Sequence, residues 1–222
     1  MSKHLARDLE NLEDELVVMS SLVEEMIEKA CQSFLDLQPE LAQQVIDSDQ
    51  AVDQREVHIE EECLKILALH QPVAIDLRRT ATVLKVNNDL ERIADLAVNI
   101  AERTMSMQSH REFAMPALLE TMAISARKMF RASLDALVSL DVAGANQVCL
   151  TDDQVDLYDQ EIINGLYQRM KADSNIIQPA LHCFSVTRNI ERIADLATNI
   201  AEDVIYLVHG SIARHKHLKD VL

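Results

Sequence analysis

Apolar residues recur every three or four positions along most of the chain, the period of a helix with one buried face. The first stretch of this pattern covers about residues 5–37. Pro39 then suits the first turn of a second helix, which ends near His70. Pro72 precedes a third helix, which ends near Met107. The spacing therefore predicts three long helices in the first half of the chain.

The second half repeats this plan. One helix is predicted over about residues 116–140, and the segment around Gly144 is predicted to be a break. The next helix covers about residues 147–170. The last helix ends near His209, where Gly210 is expected to form a left-handed cap.

One polar segment occurs twice, which indicates an internal duplication. ERIADLAVNIAE (residues 91–102) and ERIADLATNIAE (residues 191–202) differ at one position, Val98 against Thr198. We therefore predict an all-α fold of two tandem antiparallel three-helix bundles related by internal duplication. The expected halves are residues 1–109 and 110–222.

Composition and charge favour long helices and exclude several classes of binding partner. Only 3 Gly and 4 Pro occur in 222 residues, which favours long helices. The formal net charge of −16 argues against binding to nucleic acid or to an anionic membrane surface. The N-terminal segment lacks the apolar region of a secretory signal, and no apolar run approaches the roughly 20 residues of a membrane span. We therefore expect a cytoplasmic protein without direct membrane insertion.

The repeated segment carries a polar stripe. At about 100° per residue, Glu91, Asp95, Asn99 and Glu102 fall within an arc of roughly 80° on one helix face. The second copy repeats this stripe, and the preceding helix of each half adds acidic residues at aligned positions. These additions are Asp49, Asp53, Glu56 and Glu60 in the first half and Asp152, Asp156 and Asp159 in the second.

The carboxylates within such a stripe repel one another, and like charges four residues apart destabilise a helix by roughly 0.2–0.5 kcal/mol per pair. A multivalent cation would reverse this effect, and oxygen-only ligands suit ferric iron, manganese, magnesium or calcium; zinc usually prefers a His or Cys ligand. The competing interpretation is a solvated face. The repetition of the uncharged Asn99 at Asn199 favours metal binding, since solvation alone would accept other polar residues. His215 and His217 are alternative ligands, although we expect them to lie in a solvated tail.

Other catalytic signatures are absent from the sequence. None of the eight histidines has a Glu three residues before it, which argues against a ferritin-like di-iron site. The sequence also has no Gly-rich phosphate loop and no G-x-S-x-G motif.

Two long segments resemble the signature helices of the PhoU family, regulators of phosphate uptake and phosphate signalling. They are HQPVAIDLRRTATVLKVNNDLERIADLAVNIAE (residues 70–102) and FSVTRNIERIADLATNIAEDVIYLVHG (residues 184–210). Many members have G-D-H where this chain has Ala94-Asp95-Leu96 and Ala194-Asp195-Leu196, so a neighbouring His is missing. The resemblance implies multinuclear metal clusters on E(D)-x-x-x-D motifs, with iron as the first expectation. By position the implied ligands are Asp49, Asp53, Glu91, Asp95, Asn99, Asp152, Asp156, Glu191, Asp195 and Asn199, with Glu56, Glu102, Asp159 and Glu202 as further candidates.

The resemblance also implies a non-enzymatic adaptor. Its expected partners are the ATPase of the phosphate ABC transporter and a sensor histidine kinase, whose signalling it restrains when phosphate is plentiful. We also expect a homodimer. The alternative function is an oxygen-ligated metal-storage protein or metalloenzyme on a helical bundle.

Overall fold

The computed structural model describes residues 3–210, which form six long α-helices and two short 3₁₀ helices. The α-helices are α1 (Lys3–Leu35), α2 (Pro39–His70), α3 (Ala74–Ser106), α4 (Ala117–Ser139), α5 (Val142–Ala172) and α6 (Ile177–His209); the 3₁₀ helices are Met107–His110 and Ser174–Ile176. His215 and His217 lie outside the described residues.

The helix ends follow from local chemistry. Pro39 occupies the first turn of α2, as predicted. Gly210 has a φ of 73°, and its N–H donates to the carbonyl oxygen of Tyr206 at 2.8 Å, so the left-handed cap of α6 is confirmed.

The break predicted in the segment SLDVAGAN (residues 139–146) is present, but Gly144 does not form it. The chain reverses earlier, at Leu140, which adopts a φ of 54°. Asp141 then caps α5, because its Oδ1 accepts a hydrogen bond from the backbone N–H of Ala143 at 3.0 Å. Gly144 consequently lies in the first turn of α5 and does not interrupt the helix. The capping Asp outweighed the glycine that suggested a break.

The helices assemble as two three-helix units, α1–α3 and α4–α6, and α3 packs against α6 between them. Phe34 on α1 and Phe130 on α4 are fully buried in the core that runs through both units. In the first unit the hydroxyls of Ser33 and Thr104 form a buried hydrogen bond of 2.9 Å. The predicted all-α fold of two tandem three-helix bundles is confirmed.

The two central helices run antiparallel. Lys85 on α3 pairs with Asp203 on α6 at 2.6 Å, and Arg78 Nε donates to the carbonyl oxygen of Leu207 at 3.3 Å. At the other end of the pair, Arg103 at the end of α3 acts electrostatically on His182, near the start of α6. The repeats are therefore related by an approximate two-fold axis between α3 and α6. Within residues 3–210, no helix is long and apolar enough to span a bilayer.

Candidate functional site

The predicted ligands of the first half come together where α2 packs against α3. Asp49 experiences the charges of Asp53 on its own helix and of Asp95 on α3. Glu91 on α3 experiences Asp95 and also Glu56 and Asp53 across the interface. We refer to these five residues as the first acidic cluster.

A second acidic cluster forms in the same way between α5 and α6. Asp152 experiences Asp195, Asp156 and Glu191, and Glu191 in turn experiences Asp159. The acidic stripes of the paired helices thus face one another in both halves.

Several carboxyl groups in both clusters have pKa values above their ordinary ones. Burial, followed by repulsion from Asp53 and Asp95, raises the pKa of the Asp49 carboxyl. Burial is also the largest cause of the raised pKa values of Glu91 and Asp95. In the second cluster, burial and then the charge of Asp195 raise the pKa of Asp152 to about 6. The clusters therefore carry unfavourable charge repulsion at neutral pH, which a proton or a cation relieves.

Arg188 makes the two clusters chemically different. Its Nη1 donates to Asp159 Oδ2 at 2.9 Å and lies 3.1 Å from Glu191 Oε1, so it joins α5 to α6. The residue 100 positions earlier is Asn88, which is exposed and uncharged. Our sequence interpretation missed this cation, although its spacing of three residues before Glu191 indicates a possible helical ion pair. The second cluster is therefore partly neutralised by the protein itself.

Asn99 and Asn199, the two asparagines predicted as ligands, lie in a shared groove, which we call the central groove. It has a volume of about 450 Å³ and is open to solvent. The structure thus brings the two predicted Asp-x-x-x-Asn pairs toward one another across the two-fold axis. The lining residues are Arg92, Asp95, Leu96, Asn99, Arg192, Asp195, Leu196 and Asn199.

The donor chemistry of the clusters suits a hard cation. All of the predicted ligands offer oxygen, and Asp159 Oδ1 and Glu191 Oε2 are buried without a hydrogen-bond partner in the described structure. However, within residues 3–210 no group of three or more His, Cys, Asp or Glu side chains adopts a metal-binding arrangement. Ligation would therefore require the carboxylates to converge around the ion through rotamer changes.

The raised pKa of Asp152 predicts how stability depends on pH. Because the folded-state pKa is about 6 and the ordinary value is 3.8, the folded chain binds more protons between these values and loses stability as pH rises through them. The full shift corresponds to about 3 kcal/mol, and we expect Asp152→Asn to recover about 1 kcal/mol at pH 7.5 after screening by solvent.

This gain is measured by urea unfolding of chelator-treated protein and should vanish below about pH 4. Asp135→Asn, a change at an exposed position on α4, is the control and should alter stability by less than about 0.5 kcal/mol. An equal gain at both positions would contradict the assigned environment of Asp152.

Comparisons with known proteins agree with the duplicated helical fold. The PhoU domain matches the chain twice, over residues 16–104 and 119–204. The phosphate-specific transport system accessory protein PhoU homolog of Aquifex aeolicus is 35% identical over 216 residues, covering 97% of this chain and 98% of its own. The homolog of the same name from Pseudomonas aeruginosa is 36% identical over 217 residues, covering 97% of this chain and 89% of its own.

Solved structures show the same similarity. The crystal structure of PhoU from Pseudomonas aeruginosa superimposes with a TM-score of 0.89 at 35% identity, covering 93% of this chain and 99% of that one. The phosphate transport system regulatory protein PhoU from Streptococcus pneumoniae gives a TM-score of 0.88 at 26% identity, covering 94% and 99%. With both halves matched and the fold shared over nearly its whole length, this chain belongs to the PhoU family.

Proposed function

We propose that this protein is a non-enzymatic regulator of phosphate uptake and of phosphate-responsive signalling. The observation that carries the proposal is the PhoU match over both halves, together with relatives named as accessory proteins of a phosphate-specific transport system. In this proposal the chain is an adaptor between the ATPase of the phosphate ABC transporter and its sensor histidine kinase. It acts in the cytoplasm as a homodimer.

The proposal includes a role for the two acidic clusters as cation sites. Burial, followed by repulsion between neighbouring carboxylates, raises the pKa values of Asp49, Asp95 and Asp152. A bound cation would remove that repulsion and draw α2 toward α3 and α5 toward α6. The residues that would hold the metal are those predicted from the sequence, with iron as the first metal to test. The metal would supply positive charge, and the chain would supply oxygen ligands and the rigid helices that present them.

The adaptor role is tested by affinity capture. The tagged protein should retain both the transporter ATPase and the sensor kinase from the same organism. A deletion strain should express its phosphate-starvation genes in phosphate-rich medium, and the intact gene should restore repression. Failure to retain either partner, with unchanged regulation in the deletion strain, would remove the proposal. Metal uptake far beyond the ligand capacity of two clusters, with normal phosphate regulation, would instead favour storage.

A further inference from the structure

The approximate two-fold axis creates two corresponding corners, one at each end of the α3–α6 pair, and their charges differ. At the first corner Lys85 and Asp203 form an ion pair of 2.6 Å. The positions offset by 100 residues are Ser185 and Arg103. The duplication has therefore replaced an acid with an arginine and a lysine with a neutral serine. The second corner cannot form the ion pair of the first.

Three side chains with N–H groups collect at this second corner, which we call the basic corner: Arg103, His110 and His182. Arg103 Nε and His110 Nε2 are buried and have no hydrogen-bond partner in the described structure. The ion pair between Arg103 Nη2 and Glu102 Oε2 is long, at 3.9 Å, and both side chains are partly exposed. The basic corner thus contains two buried nitrogen atoms that have no hydrogen-bond partner among residues 3–210.

The pKa of His182 is affected by the other two residues of the basic corner. Burial, followed by the charges of Arg103 on α3 and His110 on the adjacent 3₁₀ helix, lowers the pKa of the His182 imidazole. The three residues are partly exposed, although the Nε of Arg103 and the Nε2 of His110 are themselves buried. A permanently charged guanidinium beside two imidazoles is an arrangement that favours a small anion.

We propose that the basic corner binds a small tetrahedral oxyanion of the phosphate type, held by Arg103, His110 and His182. The anion would accept hydrogen bonds from Arg103 Nε and from an N–H at His110 Nε2, two atoms without a partner among residues 3–210, once these partly exposed side chains rotate to present them. The negative charge of the anion would balance Arg103 at the basic corner, as the carboxylate of Asp203 balances Lys85 at the opposite corner. None of these three residues belongs to either acidic cluster.

The experiment is a titration of isolated, chelator-treated protein with inorganic phosphate, followed by NMR of the histidine side chains. We expect saturable shifts of His110 and His182, and an upward shift of the His182 pKa on binding. Sodium chloride at matched ionic strength is the control for screening. Shifts of the same size with chloride would overturn the proposal.

Variants locate the site. Arg103→Gln should weaken phosphate binding about ten- to a hundredfold, the loss expected for a charge-assisted hydrogen bond. Arg131→Gln, which removes an exposed arginine on α4, should leave binding unchanged. Wild-type affinity in Arg103→Gln would overturn the proposal.

A second variant keeps the test valid if Arg103→Gln folds poorly. Arg103→Asp combined with Ser185→Lys copies the Lys85–Asp203 pair into the basic corner, so it should fold and should not bind phosphate. Retained phosphate binding in this double variant would also overturn the proposal. Because the measurement uses the isolated protein, its outcome is independent of whether the adaptor partners are captured.

Discussion

Replacing Lys85 with methionine is expected to lower the free energy of unfolding by about 2–3 kcal/mol, because it removes the lysine partner of a buried carboxylate. Asp203 is 2% exposed and pairs with Lys85 across the α3–α6 interface. Breaking a buried ion pair typically costs about 3–5 kcal/mol; we expect less here because the Lys85 side chain is 43% exposed. The lysine ammonium also lies 5.1 Å from the centre of the Tyr206 ring, and this contact is lost too.

Urea unfolding at pH 7.5 measures the effect. Lys65→Met, which removes an exposed lysine paired with Glu62, is the control and should change stability by less than about 1 kcal/mol. Adding Asp203→Leu to Lys85→Met should recover part of the loss, since it removes the buried negative charge that Lys85 balanced. Equal losses in Lys85→Met and in the control would contradict the role of this pair in joining the halves.

The paired substitution Asp95→Asn and Asp195→Asn is expected to have opposite effects on stability without and with metal. With chelator present, it should stabilise the protein by about 1 kcal/mol, because it removes charge repulsion from both clusters. With metal at about a hundredfold excess over the dissociation constant, the unmodified protein should gain about 2.7 kcal/mol. The variant should lack most of this gain, because each cluster has lost a charged ligand.

Elemental analysis after dialysis, together with thermal unfolding, measures both effects. Asp47→Asn combined with Asp135→Asn changes the net charge equally at exposed positions outside the clusters. This control should retain both metal content and the metal-induced gain. Equal metal content in the two double variants would remove the assignment of Asp95 and Asp195 as ligands.

The fold could be predicted because the same spacing of apolar residues recurs in every helix of the chain. The apolar positions of each helix recur with one period, and prolines mark several of the junctions, so six helices and their order follow directly. The α4–α5 break was predicted in the correct segment, but the start of α5 was placed at about residue 147 because Gly144 was given more weight than Asp141, whose side chain caps the helix. A capping residue acts through one specific hydrogen bond, and a scan for helix breakers does not detect it.

The acidic stripes could be predicted on each helix, but their environment could not. Which carboxylates face one another depends on the rotation of α2 against α3 and of α5 against α6, a tertiary quantity. Arg188 illustrates this limit, since only packing brings it between Asp159 on α5 and Glu191 on α6. The basic corner is a stronger case, because Arg103 and His182 lie far apart in sequence and meet only through the antiparallel pairing of α3 and α6.

Joining both bundles in one chain has a consequence for how each copy can change. If identical bundles paired as separate molecules, every substitution would occur at both ends of the central helix pair. An arginine in place of Asp203 would then break two ion pairs at once. In a single covalent chain, one end of the α3–α6 pair can keep the lysine–aspartate ion pair while residues of different charge occupy the other end. In the fused chain, Asp203 can stabilise the contact between the two halves while the equivalent residue, Arg103, is available to bind a ligand.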